Sequence, residues 1–426
     1  MSIWTSLYTG SSGLSTLGQA IGVVGDNIAN TSTVGFKASR ASFRDMIGGA
    51  APNGQRLGTG VRFAGAQVGF GQGSVMQTGA GLDFAIQGGG FFVVNGSHEG
   101  MNGTFLTRDG RFQLDKEGFL VTSNGLKVQG YSVDTNGQIS ASSGDMQLGA
   151  QNAPVATSNV DLSVNLDASA PVLPPWDPAN PGATSNYSSS VTVYDSLGAE
   201  HRVDLHFRSD GNGAWSWYAM VDGGELTGGT PGQPTEIASG SLSFTPEGLL
   251  DVQTVNASSA DFIGATPGQS ITFDFGDALS QGGTGQSGTT QYAGAFNLRS
   301  TAQDGFGAGE LVNVSVAPDG TVTGIFSNGQ SRPMAQLALA SVRSEDGLRR
   351  AGGQLFQATQ ASGEPLLGAA GTGSRGAVVA GALESSNVDL SNELVTLIAY
   401  QRAFQANART VSTADEMLAE VANLKR

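Results

Sequence analysis

The chain contains no cysteine, so it can form no disulfide, hold no thiolate-bound metal and use no cysteine nucleophile. Histidine is nearly absent too, limited to His98, His201 and His206. His201 and His206 fall five apart in one extended segment and so face opposite sides of a strand, which excludes a shared metal; surface or packing roles are expected of both. No run of eighteen apolar residues occurs, so no membrane-spanning helix is expected. No basic residue precedes Lys37, so the positively charged start of a cleavable signal peptide is missing. No glycine-rich phosphate loop ending in Gly-Lys-Ser/Thr exists. Gly371-x-Gly373-x-x-Gly376 spells a dinucleotide fingerprint, but no strand–helix–strand unit surrounds it, and a flexible turn is the reading. Asp210-Gly211-Asn212-Gly213 and Asp134-x-Asn136-Gly137 read as ordinary hairpin turns rather than calcium loops. Trp215 and Trp217, two apart on one strand face, read as core rather than as a ligand platform. No catalytic, cofactor-binding or metal-binding constellation emerges, and the chain is expected not to be an enzyme.

Charge is scarce, with 13% charged residues, and it is uneven. Residues 146–292 hold fifteen acidic side chains against two basic ones, Arg202 and Arg208, which accounts for −13 of the formal −15. The overall sign argues against nucleic acid as a partner. An acidic segment stays solvated, whereas a nearly neutral remainder can pack against copies of itself. Glycine is abundant, 64 of 426 residues, about twice its usual share. With an apolar fraction of 39%, this composition predicts many short strands joined by tight turns, in roughly two to four domains.

The two chain ends carry the longest periodic patterns. Ile3, Leu7, Leu14, Leu17, Ile21, Val24 and Ile28 alternate steps of three and four, with Gly10 in the one gap. Leu390, Leu394, Leu397, Phe404, Ala408, Val411 and Leu418 do the same, with Gln401 and Asp415 in the polar slots. That spacing marks a narrow apolar seam of the coiled-coil type, so the ends are expected to pair as helices. Five glycines from Gly10 to Gly25 each cost a helix roughly 1 kcal/mol relative to alanine. The N-terminal helix is therefore expected to form only among close neighbours, with both ends unordered in an isolated subunit. Ser391, Asn387 or Asp389 could cap the C-terminal helix.

Between the ends, residues 48–80 read as an extended linker or short hairpins. Leu82–Val94 reads as two strands around a glycine turn, and Asp109-Gly110 and Asn124-Gly125 as hairpin turns. The proline-rich stretch 171–181 and the Gly/Gln/Ser/Thr-rich stretch 281–290 read as links flanking a separate β-domain. Met334–Val342 reads as a strand buried on both faces.

Several motifs carry a resemblance. Asn27-Ile28-Ala29-Asn30 followed by Thr33-x-Gly35-Phe36-Lys37, Gly90-Phe91-Phe92 followed by Thr107-Arg108-x-Gly110, Tyr194-Asp195-Ser196-Leu197-Gly198 with His201, and Gly381–Asn407 fall in order along the chain. Together they resemble the bacterial flagellar rod and hook family, and the size of the 149–292 insertion matches its hook-type members. The resemblance implies a mixed α + β chain with paired terminal helices carrying two mostly-β domains in series. Residues 1–30 with 386–426 would form an inner helical domain, 31–70 with 371–385 a connector, 71–148 with 293–370 a β-rich middle domain, and 149–292 an acidic outer one.

It further implies a structural subunit that self-assembles into a curved, flexible tube transmitting torque in motility. Its partners would be copies of itself, the rod at one end, junction proteins at the other, and a cap and the type III export apparatus during assembly. It would be extracellular, exported without a cleaved signal, with no membrane insertion. A distal rod or hook-associated axial protein is the alternative, and a β-rich surface adhesin a more distant one.

Overall fold

A computed structural model describes residues 3–50, 56–134, 137–149 and 151–423. Strands dominate it, with one long helix at each end, Ile3–Ala29 and Leu390–Asn423. The chain divides into two units, Met1–Gly149 with Val312–Ile325 and Ser331–Arg426, and Ala150–Leu311 with Phe326–Gln330.

In the first unit the N-terminal helix runs without a break through its five glycines. It stops at Ala29, and Gly35 then takes a left-handed φ of +68°. Asp389 is the cap of the C-terminal helix: its carboxylate accepts the backbone N–H groups of Ser391 at 2.9 Å and Asn392 at 3.3 Å. The stretch expected as a linker is instead a long two-stranded hairpin, Ser39–Ala50 against Arg56–Val68. Glycines at 58, 60 and 65 hide its alternation in the sequence, and Gly60 and Gly65 take positive φ where the ladder slips register. Phe43 pairs with Phe63 across the hairpin and meets Tyr400 of the C-terminal helix edge-on at 6.1 Å.

The central strand of the β-block is Ser331–Ser341, with seven consecutive buried residues. It pairs with Thr321–Phe326, Lys127–Val133, Phe91–His98 and Leu366–Ala369. Phe91, Val93, Leu106, Ala340, Leu348 and Phe356 form one core cluster, onto which Phe70 packs. Asn124-Gly125 makes the expected turn, with Gly125 at φ +77°. Asp109-Gly110 does not. The strands on either side, Met101–Thr107 and Phe112–Leu114, pair with other partners, because Gly110 is pressed against the backbone of Phe84 and Arg108 is drawn inward. Residues from 371 to 385 add to the block: Ala377–Ala380 pairs with Phe84–Gln87, and Ala382–Glu384 with Val75–Gln77. Gly371 and Gly373 sit in the turn before them, both at positive φ.

The second unit holds a five-stranded antiparallel meander, Tyr187–Tyr194, Glu200–Gly211, Ala214–Asp222, Pro234–Phe244 and Leu250–Ser258. A three-stranded sheet accompanies it, with Asn159–Asn165 between Thr272–Asp274 and Asn297–Gln303. That last pairing moves the expected boundary at 292, since residues 293–311 belong with this unit. Nor is 281–290 a loose link. Thr289 and Thr290 are buried, donating backbone N–H groups to the carbonyls of Phe275 and Val164. Trp215 and Trp217 are core residues, and Trp217 lies 5.3 Å from Phe273 and 5.0 Å from Phe275 by ring centre. The 210–213 turn closes a plain hairpin, with positive φ at Gly211, Asn212 and Gly213.

Candidate functional site

The terminal helices lie against each other along small residues. Gly10, Gly13, Thr16, Ala20, Val24 and Asn27 make up the buried face of the N-terminal helix. A Cβ at Gly10 would come within 2.8 Å of Val411 Cγ2, and one at Gly13 within 2.9 Å of Asn407 Oδ1. Glycine at these two positions therefore sets how closely the helices approach.

The larger apolar residues of the predicted seams take other places. Leu7, Leu14, Leu17, Ile21 and Ile28 are half-buried, and of the N-terminal set Val24 alone among the described side chains is fully buried. The side chain of Ile3 lies outside the described residues. Leu397, Ala408, Val411 and Leu418 are half-buried, whereas Leu390, Leu394 and Phe404 are exposed. Trp4, at 71% exposure, Tyr8, Val395, Ile398 and Met417 stand free beside them. Such a concentration of exposed large apolar groups on two helices marks an interaction surface.

Where the helices leave the β-block, the quoted motifs converge. Asn27 donates to the carbonyl of Ser39 at 2.7 Å, accepts its N–H at 2.8 Å, and reaches Glu393 of the C-terminal helix at 3.1 Å. Asn387 accepts from the Ala38 N–H at 2.7 Å and donates to the carbonyls of Gly69 and Gly71. Beneath them Glu384, fully buried, takes Lys37 Nζ at 2.7 Å on Oε1 and Arg108 Nη1 at 3.1 Å on Oε2. Oε1 also accepts the N–H of Gly73 at 2.8 Å. Lys37 donates to the Gly71 carbonyl at 2.9 Å and Arg108 to the Gly88 carbonyl at 2.9 Å.

Burial holds the Lys37 ammonium below its ordinary pKa; Glu384 works against that shift and Arg108 adds to it. Gly35 is required here as well, because a Cβ would fall 2.6 Å from the Asp109 backbone nitrogen. Phe36 is buried under the guanidinium of Arg350, which also reaches the Lys37 carbonyl and Asp26. Of the remaining motif residues, Asn30 is half-buried and Ala29 exposed. Lys37, Arg108 and Glu384 were each visible as motif letters. Their meeting across 276 residues between Arg108 and Glu384 was not. The clasp ties both chain ends to the β-block through one carboxylate.

A family model described as flagella basal body rod protein matches residues 7–37, the flagellar hook protein FlgE/F/G D1 domain matches 85–167, the flagellar basal body protein FlaE D2 domain matches 165–306, and the flagellar basal body rod FlgEFG protein C-terminal model matches 379–424. The flagellar hook protein FlgE of Salmonella typhimurium is 35% identical over 427 residues, covering 97% of this chain and 98% of its own. The chain belongs to the flagellar hook protein family. The family's FlgE of Borreliella burgdorferi is 32% identical over 99% of both chains. The solved hook protein FlgE2 of Helicobacter pylori overlays 71% of this chain and 98% of its own at 15% identity, with a TM-score of 0.46.

As a hook-family chain it is a structural subunit of the flagellum, and the features that could have suggested chemistry have structural uses. Among the described residues no three His, Asp or Glu side chains group to hold a metal ion. His201 lies between Asp195 at 3.3 Å and Glu225 at 2.7 Å and stacks on Phe262. His206 is buried beside Ser185 and Trp176. Among the described residues no helix is long and apolar enough to cross a membrane.

Proposed function

We propose that the chain polymerises with copies of itself into the curved tube of the hook, its terminal helices forming the inner wall as coiled-coil-type seams. The observation that carries this reading is the division of labour on those helices. Small residues meet within one chain, while Leu390, Leu394, Phe404, Trp4 and Tyr8 keep large parts of their apolar surface exposed. Burying that surface between neighbours is worth roughly 25 cal/mol per Å² before ordering costs.

In this reading the exposed seam residues Leu390, Leu394 and Phe404 and the open sides of the half-buried ones meet other copies, while Val24 and Val411 pack within the chain, and the clasp at Lys37, Arg108 and Glu384 transmits load from the helices into the β-block. The acidic second unit lies outermost, where like charge discourages adhesion between tubes. Its contacts are small and polar, so that they slide as the tube bends. The tube joins the rod at one end and junction proteins at the other, outside the cell, after export by the type III route and with the help of a cap. Electron microscopy of the purified full chain under polymerising conditions tests the reading. Tubes are expected from the native chain and none from Leu394→Asp with Phe404→Asp, while the monomer of that variant keeps its strand signal in circular dichroism. Tubes from the double variant would overturn it.

A further inference from the structure

We propose that the hairpin of one copy docks through Arg44 and Arg62 into an acidic groove at the hairpin root of the next copy, joining subunits head to tail. The inference rests on the self-assembly reading and names the contact that gives it direction.

Arg44 and Arg62 are direct cross-strand partners, and both are exposed. Like charges placed opposite each other destabilise a two-stranded ribbon, and among the described residues neither arginine forms an ion pair. The hairpin belongs to the part of the chain that lacks the acidic excess, so nothing in its own sequence surroundings relieves the repulsion; Asp45 is the one carboxylate on the strand, and it is directed by register to Val61.

The complement lies elsewhere in the same unit. A groove of about 820 Å³ at the hairpin root is lined by Ser39, Arg40, Glu345, Asp346, Asp389 and Glu393, among others. Four carboxylates line it with one guanidinium; Asp389 caps the C-terminal helix and Glu393 accepts from Asn27, while Glu345 and Asp346 form no ion pair among the described residues. The hydroxyl of Ser39 is buried without a hydrogen-bond partner, an unmet polar group at the groove wall. Burying an unpaired hydroxyl is costly, and a guanidinium entering the groove offers five donors to the carboxylates that line it.

The arginines cannot turn back into the groove of their own chain. Arg44 is five residues along the strand from Ser39, about 16 Å at the rise of a strand, beyond the reach of one side chain. Two complementary patches at different places on one chain make a heterologous contact. Such a contact generates a ring where its rotation closes and an open helix where it does not, and the open helix is the geometry a tube needs.

The test uses the full chain and follows tube growth by light scattering with electron microscopy. Arg44→Asp with Arg62→Asp is expected to slow growth by about tenfold or more, as is Asp346→Arg alone. Glu345→Arg with Asp346→Arg added to the arginine pair, which leaves two carboxylates against three guanidiniums in the groove, is expected to recover most of the native rate. Growth of the arginine variant at the native rate, or no recovery in the combined variant, overturns the proposal. If the arginine variant loses its fold by circular dichroism, Arg44→Gln with Arg62→Gln takes its place under the same criteria. Failure of the native chain to form tubes would sink the self-assembly reading itself, and that outcome is distinct from native tubes that ignore the charge changes.

Discussion

Glu384→Ala tests whether the clasp carries the structural weight assigned to it. The carboxylate is fully buried and satisfies two cations and one backbone N–H. Removing it leaves the Lys37 ammonium and the Arg108 guanidinium in a dry site with one main-chain carbonyl each. Breaking a buried pair by deleting one partner costs about 3–5 kcal/mol. For a folding unit of this size each kcal/mol shifts Tm by about 2–4 °C, so the transition assigned to the first unit should fall by roughly 6–20 °C in a calorimetric scan. The transition of the second unit should not move. Replacing all three residues by apolar ones, Lys37→Met, Arg108→Met and Glu384→Leu, removes the unpaired charges and should recover much of the loss. A Tm change below about 2 °C for Glu384→Ala would refute the reasoning, and so would a triple variant no more stable than the single one, since the cost would then lie in packing and not in stranded charge.

The remaining predictions are narrower. Gly13→Leu places a side chain where Asn407 sits 2.9 Å away, so it should force the terminal helices apart and lower helical circular dichroism, whereas Gly18→Leu, with open space around it, should not. Lys37 binds its proton less readily when folded than at its ordinary 10.5; the unfolded chain therefore holds more protons, and the native chain should gain stability relative to Lys37→Met as pH rises through the window between that lowered value and 10.5. His206 is likewise held below 6.5 by burial, partly offset by Asp204, so stability of the second unit is complete above pH 6.5 and should fall as pH drops below it, a loss that His206→Gln should abolish in urea titrations. Thr284→Leu with Gln286→Leu, both exposed, should straighten the tubes by stiffening outer contacts; unchanged curvature would count against sliding contacts, and the neighbouring glycines are unsuitable because Gly285 and Gly288 are packed against Leu249 and Gly276.

Much of the fold was legible because it depends on local chemistry. The heptad spacing foretold two long helices, Asn124-Gly125 foretold a turn, and the unbroken apolar run after Met334 foretold a strand covered on both faces. What misled was chemistry decided at a distance. Asp109-Gly110 has the spelling of a hairpin, but the pull of Glu384 on Arg108 and the tight approach of Gly110 to Phe84 turn the chain a different way. The hairpin at 39–68 was hidden because its glycines break the alternation that would announce it. Residues 281–290 look like low-complexity linker, yet polar threonines are buried there because their backbone completes a ladder. The site shows the same division: each of its three charged residues sat inside a recognisable motif, while their shared carboxylate required the fold.

The helix pair accounts for two of the five glycines that lower the helix propensity of the N-terminal segment. Gly10 and Gly13 weaken the isolated helix, but they are the positions where an added Cβ would press on the side chains of Val411 and Asn407 and force them to shift. Gly18, Gly22 and Gly25 have no such neighbour among the described residues, so no contact there offsets their cost. Either these three serve approach by another molecule, or they lower the stability of the free helix for its own sake. Both lead to one expectation: Gly18→Ala with Gly22→Ala and Gly25→Ala should raise the helicity of the free chain, adding up to roughly 1 kcal/mol per site. If the glycines face neighbours, the same variant should assemble more slowly despite its more stable helix. If they only restrain premature helix formation, it should nucleate tubes faster. Circular dichroism of the monomer and the lag time of tube growth, measured on one preparation, separate the two.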